Sequence, residues 1–231
     1  MLFTESISDE LLDILMPYTE WFFAQNDHDI LAGPEEFRAK RAGGLTWETA
    51  TDEKYLEHIR SKGDKHIGFP ETVVATDMSQ MYREPWFPSQ HHHKQQELNS
   101  ELIAFLGARN VAVHTYYPPG GFMGWHTNHN ATGYNILLTY NPVEGGGFFR
   151  WYDYVNDEIL TLPDPVGWSC KVGYYGTYPE KDSGNMIYHC CGNTEKRLTF
   201  GYIVPHLDIW QSMIEDISGK DASHFGKLYP D

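Results

Sequence analysis

Residues 110–154 read NVAVHTYYPPGGFMGWHTNHNATGYNILLTYNPVEGGGFFRWYDY, and the reading of this stretch decides the fold. Val111 to Tyr117 alternates with the period of a strand, and Pro118-Pro119-Gly120-Gly121 stops it. Tyr134 to Tyr140 is rich in β-formers (Ile136, Leu137, Leu138, Thr139). Asn141 to Gly147 then turns the chain, and Phe148 to Tyr152 resumes an extended run. Three more extended runs lie further on: Val172 to Tyr175, Asn185 to Cys190 and Leu198 to Val204. Short strands at regular spacing, joined by Gly- and Pro-rich turns, predict a β-sandwich or jelly roll.

Outside this region the pattern changes to helices and loops. Ser8-Asp9-Glu10 caps an acidic amphipathic helix in the N-terminal segment from Met1 to Tyr18, continuing to Trp21, Phe22 and Phe23. Gly33-Pro34 and Gly43-Gly44 punctuate the next segment of the chain. Helices are expected over Glu53 to Ser61, over Gln96 to Leu106 with Gly107 as the stop, and over the tail from Leu207 to Ile217. No repeat or linker interrupts the chain. The expectation is one domain over 1–231: a helical and loop support over 1–108, a jelly-roll core over 109–205 and a C-terminal helix within 206–231.

Bulk properties narrow the function. The chain has 231 residues, 41% hydrophobic and 15% aromatic, which supplies a globular core. A formal net charge of -15 disfavours phosphate backbones, so no nucleic-acid partner is expected. No apolar run reaches membrane-span length, and the acidic N-terminus does not read as a secretory signal, so no membrane association is expected. Three cysteines (Cys170, Cys190, Cys191) do not form a disulfide framework and fit a reducing, cytoplasmic setting. His91-His92-His93 lies between Pro88 and Gln95-Gln96 and reads as a solvated surface loop; with Trp86 and Phe87 it is also a candidate lid.

Three pieces carry chemistry: His126-Thr127-Asn128, His189 and Arg197-Leu198-Thr199. Residues i and i+2 of a strand share a face, which pairs His126 with Asn128, Arg197 with Thr199, and His189 with Ile187 and Asn185. Two imidazoles and an oxygen ligand on one side of an ion leave positions open for substrate and O₂. Arg197 beside a hydroxyl makes a clamp for a carboxylate.

With these residues the sequence resembles the Fe(II)- and 2-oxoglutarate-dependent dioxygenases, in their prolyl-hydroxylase-like branch. That family carries His-x-Asp, a distant His, then Arg-x-Ser or Arg-x-Thr shortly after. Tyr117-Pro118-Pro119-Gly120-Gly121 and the Gly-rich turn Asn141 to Gly147 resemble two further family turns. The resemblance covers roughly 110–205 and implies a double-stranded β-helix. It implies Fe(II) on His126 and His189, with Asn128 at the third metal position. It also implies that Arg197 and Thr199 hold the distal carboxylate of 2-oxoglutarate and that Tyr117 hydrogen-bonds this cosubstrate. The activity implied is hydroxylation of a C–H bond in a peptide, protein or small molecule.

The departure is Asn128, where the family has Asp. The amide has several readings: a ligand through its oxygen, a neighbour of a water-filled position, a gap filled by His129 or Asp153, a position open to chloride, or the mark of a non-catalytic relic. A cupin-like metal enzyme using His126, His129 and His189 is the alternative of a different class. Trp125, Asn130, Arg150, Trp151 and Tyr188 are candidate cavity walls. Nothing in the sequence bears on oligomeric state.

Overall fold

The computed structural model describes residues 3–5, 7–108, 110–183, 186–204 and 206–220. In chain order its elements begin with β1 (Phe3–Glu5), α1 (Asp9–Ala24), α2 (His28–Leu31), α3 (Glu35–Ala42), α4 (Trp47–Ala50), α5 (Glu53–Ser61), β2 (Val73–Val74), β3 (Thr76–Asp77) and α6 (Ser89–Leu106). They continue with β4 (Asn110–Tyr117), β5 (Phe122–His126), β6 (Gly133–Asn141), β7 (Gly147–Asp153), β8 (Glu158–Pro163), β9 (Gly167–Tyr175), β10 (His189–Asn193), β11 (Arg197–Val204) and α7 (Leu207–Ser218).

The strands form two antiparallel sheets, one ordered β1-β9-β6-β11-β4-β3 and the other β2-β5-β10-β7-β8. From β4 onward the chain crosses to the second sheet at β5 and returns at β6. It crosses again for β7 and β8, returns at β9, and repeats the crossing through β10 to β11. That winding is the double-stranded β-helix, or jelly roll, so the fold is mainly β with flanking helices.

The first sheet is buried on both faces, and the two faces differ in chemistry. Ile136, Leu138, Val172, Leu198 and Phe200 face outward and pack with Leu11, Leu15 and Phe22 of α1, Leu98 and Leu102 of α6, and Trp210 of α7. The intervening residues face the other sheet, and many are polar: Thr115, Thr139, Ser169, Lys171, Arg197 and Thr199 are all buried. Register places Thr199 opposite both Thr115 and Thr139, and Thr139 opposite Ser169. Cross-strand partners share a face, so these four hydroxyls form one row across the barrel interior. A core lined this way is built to surround something polar, because each unbonded buried hydroxyl costs free energy.

Several expectations are corrected. The N-terminal helix begins only at Asp9, with the Ser8 side chain accepting from the Leu11 N–H, and Phe3–Glu5 instead pairs with β9 as an edge strand. β8 is a strand that the sequence pattern does not announce, and the strand carrying His189 starts at that residue; Asn185 lies outside the described residues. The histidine run is not a surface loop. It opens α6, and His91 falls on the helix's buried stripe with Gln95, Leu98 and Leu102. Its Nε2 lies 2.8 Å from Asp27 Oδ1. Nor do Trp86 and Phe87 form a lid: Trp86 packs on Phe37 and Phe87 joins the helical side of the core. The C-terminal helix ends at Ser218, and residues 221–231 are outside the described set. Among the described residues no helix is long and apolar enough to cross a membrane.

Candidate metal centre and carboxylate site

Strands β5 and β10 are hydrogen-bonded neighbours, and their register sets His189 opposite His126. The two rings stand 4.1 Å apart, centroid to centroid. Each ring is anchored by Nδ1 on a carbonyl two residues earlier: His126 to Gly124 O at 2.8 Å and His189 to Ile187 O at 3.1 Å. A carbonyl only accepts, so these bonds place the proton on Nδ1 and leave both Nε2 atoms unprotonated, with the Asn128 amide nitrogen 3.3 Å from that of His189. Metal-bound histidines are oriented by this kind of contact. Phe149 stacks on the His189 ring and Tyr175 lies tilted against it.

Burial keeps both imidazoles neutral, the form that binds a metal. It holds His126 well below the ordinary histidine range, with His189 adding to the effect. It brings His189 to about 4. His114, bonded to Gln95 and Tyr202 under the helices, is brought to about 3 by the same desolvation. This has a pH consequence for the metal-free protein. Unfolded, all three titrate near 6.5, so between about pH 6.5 and 4 the unfolded chain binds protons that the folded chain does not. Stability must fall as pH drops through that window, by up to about 1.4 kcal/mol per pH unit for each group. Denaturant unfolding across the window checks this; a flat profile would contradict it.

Asn128 is not on the strand face inferred from the i, i+2 rule. β5 ends at His126, and Asn128 has a left-handed backbone (φ 55) that Asn adopts more readily than most residues. Gly68 O holds this turn, accepting from Asn128 N at 2.7 Å and from Thr127 N at 3.2 Å. Gly68 itself has φ +84, and a Cβ there would stand 2.8 Å from Asn130 Oδ1, so the strap needs glycine. The turn still delivers the Asn128 amide to 3.3 Å from His189 Nε2. His126, His189 and Asn128 therefore meet at the wall of one cavity.

Other candidates point elsewhere. His129 Nδ1 is bonded to Thr127 Oγ1 at 2.7 Å, and its ring faces Tyr178 and His66. Asp153 turns to Val155 N and Asn156. Trp125 alternates with His126 and donates outward to Asp52 O, Arg150 donates to Thr51, and Asn130 donates to Ile67 O. None of these lines the cavity, nor do Trp151 and Tyr188. Among the described residues no three His, Cys, Asp or Glu side chains are grouped to hold an ion. The corner where His126, His189 and Asn128 meet consists of two imidazoles and an amide, with no carboxylate.

The cavity has a volume of about 300 Å³ and extends from the histidine pair to Arg197 and Thr199. Arg197 is buried, with its guanidinium 5.0 Å from the centre of the Tyr117 ring. The Tyr117 hydroxyl meets the Cys191 thiol at 3.5 Å. Nε of Arg197 donates to Asp164 Oδ2 at 2.8 Å, and Lys171 Nζ donates to Asp164 Oδ1 at 2.7 Å. Burial would push the Asp164 carboxyl up, but Arg197 and Lys171 outweigh it and hold it below the usual carboxylate range. The Gly-rich turn exists to let this carboxylate in: a Cβ on Gly147 would lie 2.7 Å from Asp164 Oδ2 and 2.8 Å from the Asn141 amide. Asp164, Lys171 and Tyr175 are not singled out by sequence reasoning. Lys171 shares a strand face with Tyr175, and a lysine amid barrel-strand residues is the signal that could have found them.

Both groups implied by the sequence fit the residues present. Two unprotonated Nε2 atoms and an amide can hold a divalent ion once the Asn128 amide turns its oxygen inward in place of the Nδ2 contact on His189. Nη1 of Arg197 and Oγ1 of Thr199 are buried with no hydrogen-bond partner, as are Oγ1 of Thr115 and Thr139 and the Tyr175 hydroxyl. Unmet donors beside a buried cation suit an anionic ligand with several acceptor oxygens.

No family model matches this chain, and no curated protein matches it. Similar solved structures include a prolyl-4-hydroxylase from Pseudomonas putida (15% identity, TM-score 0.32, covering 66% of this chain and 85% of that one). Another is a 2OG-Fe(II) oxygenase family oxidoreductase from Burkholderia pseudomallei (13%, TM-score 0.33, 78% and 91%). A third is a viral collagen prolyl hydroxylase from Paramecium Bursaria Chlorella virus-1, solved with 2OG (12%, TM-score 0.30, 71% and 99%).

Proposed function

We propose that this protein is an Fe(II)- and 2-oxoglutarate-dependent oxygenase that hydroxylates a C–H bond of a peptide or small molecule. The observation that carries the reading is one cavity with a paired His126/His189 wall and a buried, incompletely bonded Arg197. A metal alone would not call for the cation, and a carboxylate alone would not call for two neutral imidazoles with unprotonated Nε2 atoms. Together they match a chelating 2-oxo acid that reaches a metal with one end and Arg197 with the other.

His126, His189 and Asn128 would hold the iron, which supplies O₂ activation coupled to decarboxylation of 2-oxoglutarate. The chain's own part is binding and orientation. Arg197 Nη1 and Thr199 Oγ1 donate to the distal carboxylate, and Tyr117 braces the guanidinium from beneath. Thr115, Thr139 and Tyr175 offer hydroxyls along the ligand's length. The apolar outer face under α1, α6 and α7 keeps that wall rigid, and Phe149 limits water around His189. Phe69 and Pro70, strapped over Asn128 through Gly68, form part of the cavity lining where a substrate would approach. Under air, Fe(II) and 2-oxoglutarate with a matching substrate should give succinate in step with hydroxylated product. No succinate with or without substrate, across a peptide and metabolite panel, would count against the reading.

Asn128 sets how tightly the ion is held. A neutral amide leaves the centre one unit more positive than a carboxylate would. Asn128→Asp keeps the left-handed turn, since Asp tolerates it comparably. Fe(II) affinity should rise by roughly tenfold or more, measured by competition with a chromophoric chelator. An unchanged affinity would mean that residue 128 does not touch the ion.

A further inference from the structure

The buried charges at the deep end of the cavity do not cancel. Arg197 and Lys171 are two cations around one carboxylate, Asp164, and all three side chains are essentially out of water. Asp164 uses both oxygens, one per cation. Arg197 is left with a buried Nη1 that has no partner. Lys171 does not line the cavity, so it cannot be a ligand contact itself. Without Lys171, Asp164 would neutralise Arg197, and since the cavity's other cation, Arg41, is matched by Asp77, the attraction for an anion would fall.

We propose that Lys171 and Asp164 are positioning residues that set the charge of the carboxylate site: Asp164 fixes the Nε edge of Arg197, and Lys171 cancels Asp164. One net positive charge and one open donor then remain for a single carboxylate of the ligand. This rests on the reading of the cavity as a 2-oxoglutarate site. Asp164 is pinned independently of the cations, since its N–H donates to Gly147 O at 2.9 Å and its carbonyl accepts from Gly145 N at 3.2 Å. The main chain that carries the carboxylate is therefore fixed, and the side chain is held by its two bonds to Lys171 and Arg197. Burial pulls the Lys171 ammonium down while Asp164 at 2.7 Å opposes that pull.

The test is calorimetric titration of 2-oxoglutarate into the Mn(II)-loaded full chain. Lys171→Met makes the cluster neutral, and affinity should fall on the order of tenfold to a hundredfold. The double variant Lys171→Met, Asp164→Asn restores a net charge of plus one and should regain most of that loss. A purely structural role predicts the opposite order, with the double variant worse than the single. Lys171→Met binding like the wild type, or a double variant binding more weakly than Lys171→Met, would overturn the proposal and leave the oxygenase reading intact. If Lys171→Met does not fold, the double variant alone decides: near-wild-type affinity supports the proposal, and a tenfold loss overturns it. A wild-type protein that binds no 2-oxoglutarate would overturn the oxygenase reading, and this inference with it.

Discussion

Arg197→Met is expected to abolish measurable 2-oxoglutarate binding and to destabilise the fold by about 3 kcal/mol, because it breaks a fully buried ion cluster. The two effects have separate origins. Binding is lost because Nη1 is the unmet donor facing the cavity and because Asp164 and Lys171 then cancel, removing the positive charge. Stability is lost because Asp164 Oδ2 forfeits its 2.8 Å partner in a site without water access, and Tyr117 forfeits the cation against its ring. Lys171 keeps the carboxylate partly compensated, which holds the cost near the low end for a broken buried pair. Urea unfolding and cosubstrate titration measure the two separately. A variant that keeps 2-oxoglutarate affinity would place the carboxylate somewhere else in the cavity.

His126→Ala and His189→Ala should each weaken Fe(II) binding at least on the order of a hundredfold. Even groups that only orient a metal's histidines are worth tenfold to a hundredfold, and these two would be the ligands themselves. With Asn128 neutral, no anionic side chain compensates for a lost imidazole, so the residual site would be an amide and one ring. His189→Ala should also cost stability, since its ring is stacked on Phe149 and against Tyr175. His129→Ala should leave Fe(II) affinity unchanged, because its ring faces Tyr178 and His66 outside the cavity. Loss of metal in His129→Ala would favour a three-histidine, cupin-like centre instead.

Much of the architecture was readable because strand period is a local property. The alternation from Val111 to Tyr117 and the β-rich Tyr134 to Tyr140 became β4 and β6, and Glu53 to Ser61 became α5. The convergence of His126 and His189 was legible as two histidines on strands, although their direct opposition depends on β5–β10 pairing across a long stretch of chain. Other features were not legible, for physical reasons. Asn128 leaves the strand through a left-handed turn that depends on a carbonyl of Gly68, far away in sequence. His91 is buried because helix α6 starts before it, where Pro88 and the polar run suggested a loop. Asp164, between Pro163 and Pro165, carries no local sign of burial, yet it is buried because Lys171 and Arg197 arrive from other strands. Trp125 and Arg150 flank site residues in sequence and alternate to the opposite face of the sheet. Charge compensation and strand face are both set by pairing, which a single sequence does not print.

The most direct test is calorimetric titration of Mn(II) in the presence and absence of 2-oxoglutarate, on the wild type and on a His126→Ala, His189→Ala double variant. If one cavity holds both ligands in contact, each must raise the affinity of the other by the same factor. The wild type should bind one Mn(II) per chain, more tightly with 2-oxoglutarate present, and the double variant should bind neither appreciably. Mn(II) binding that ignores 2-oxoglutarate, or that survives loss of both histidines, would contradict a metal centre between His126 and His189.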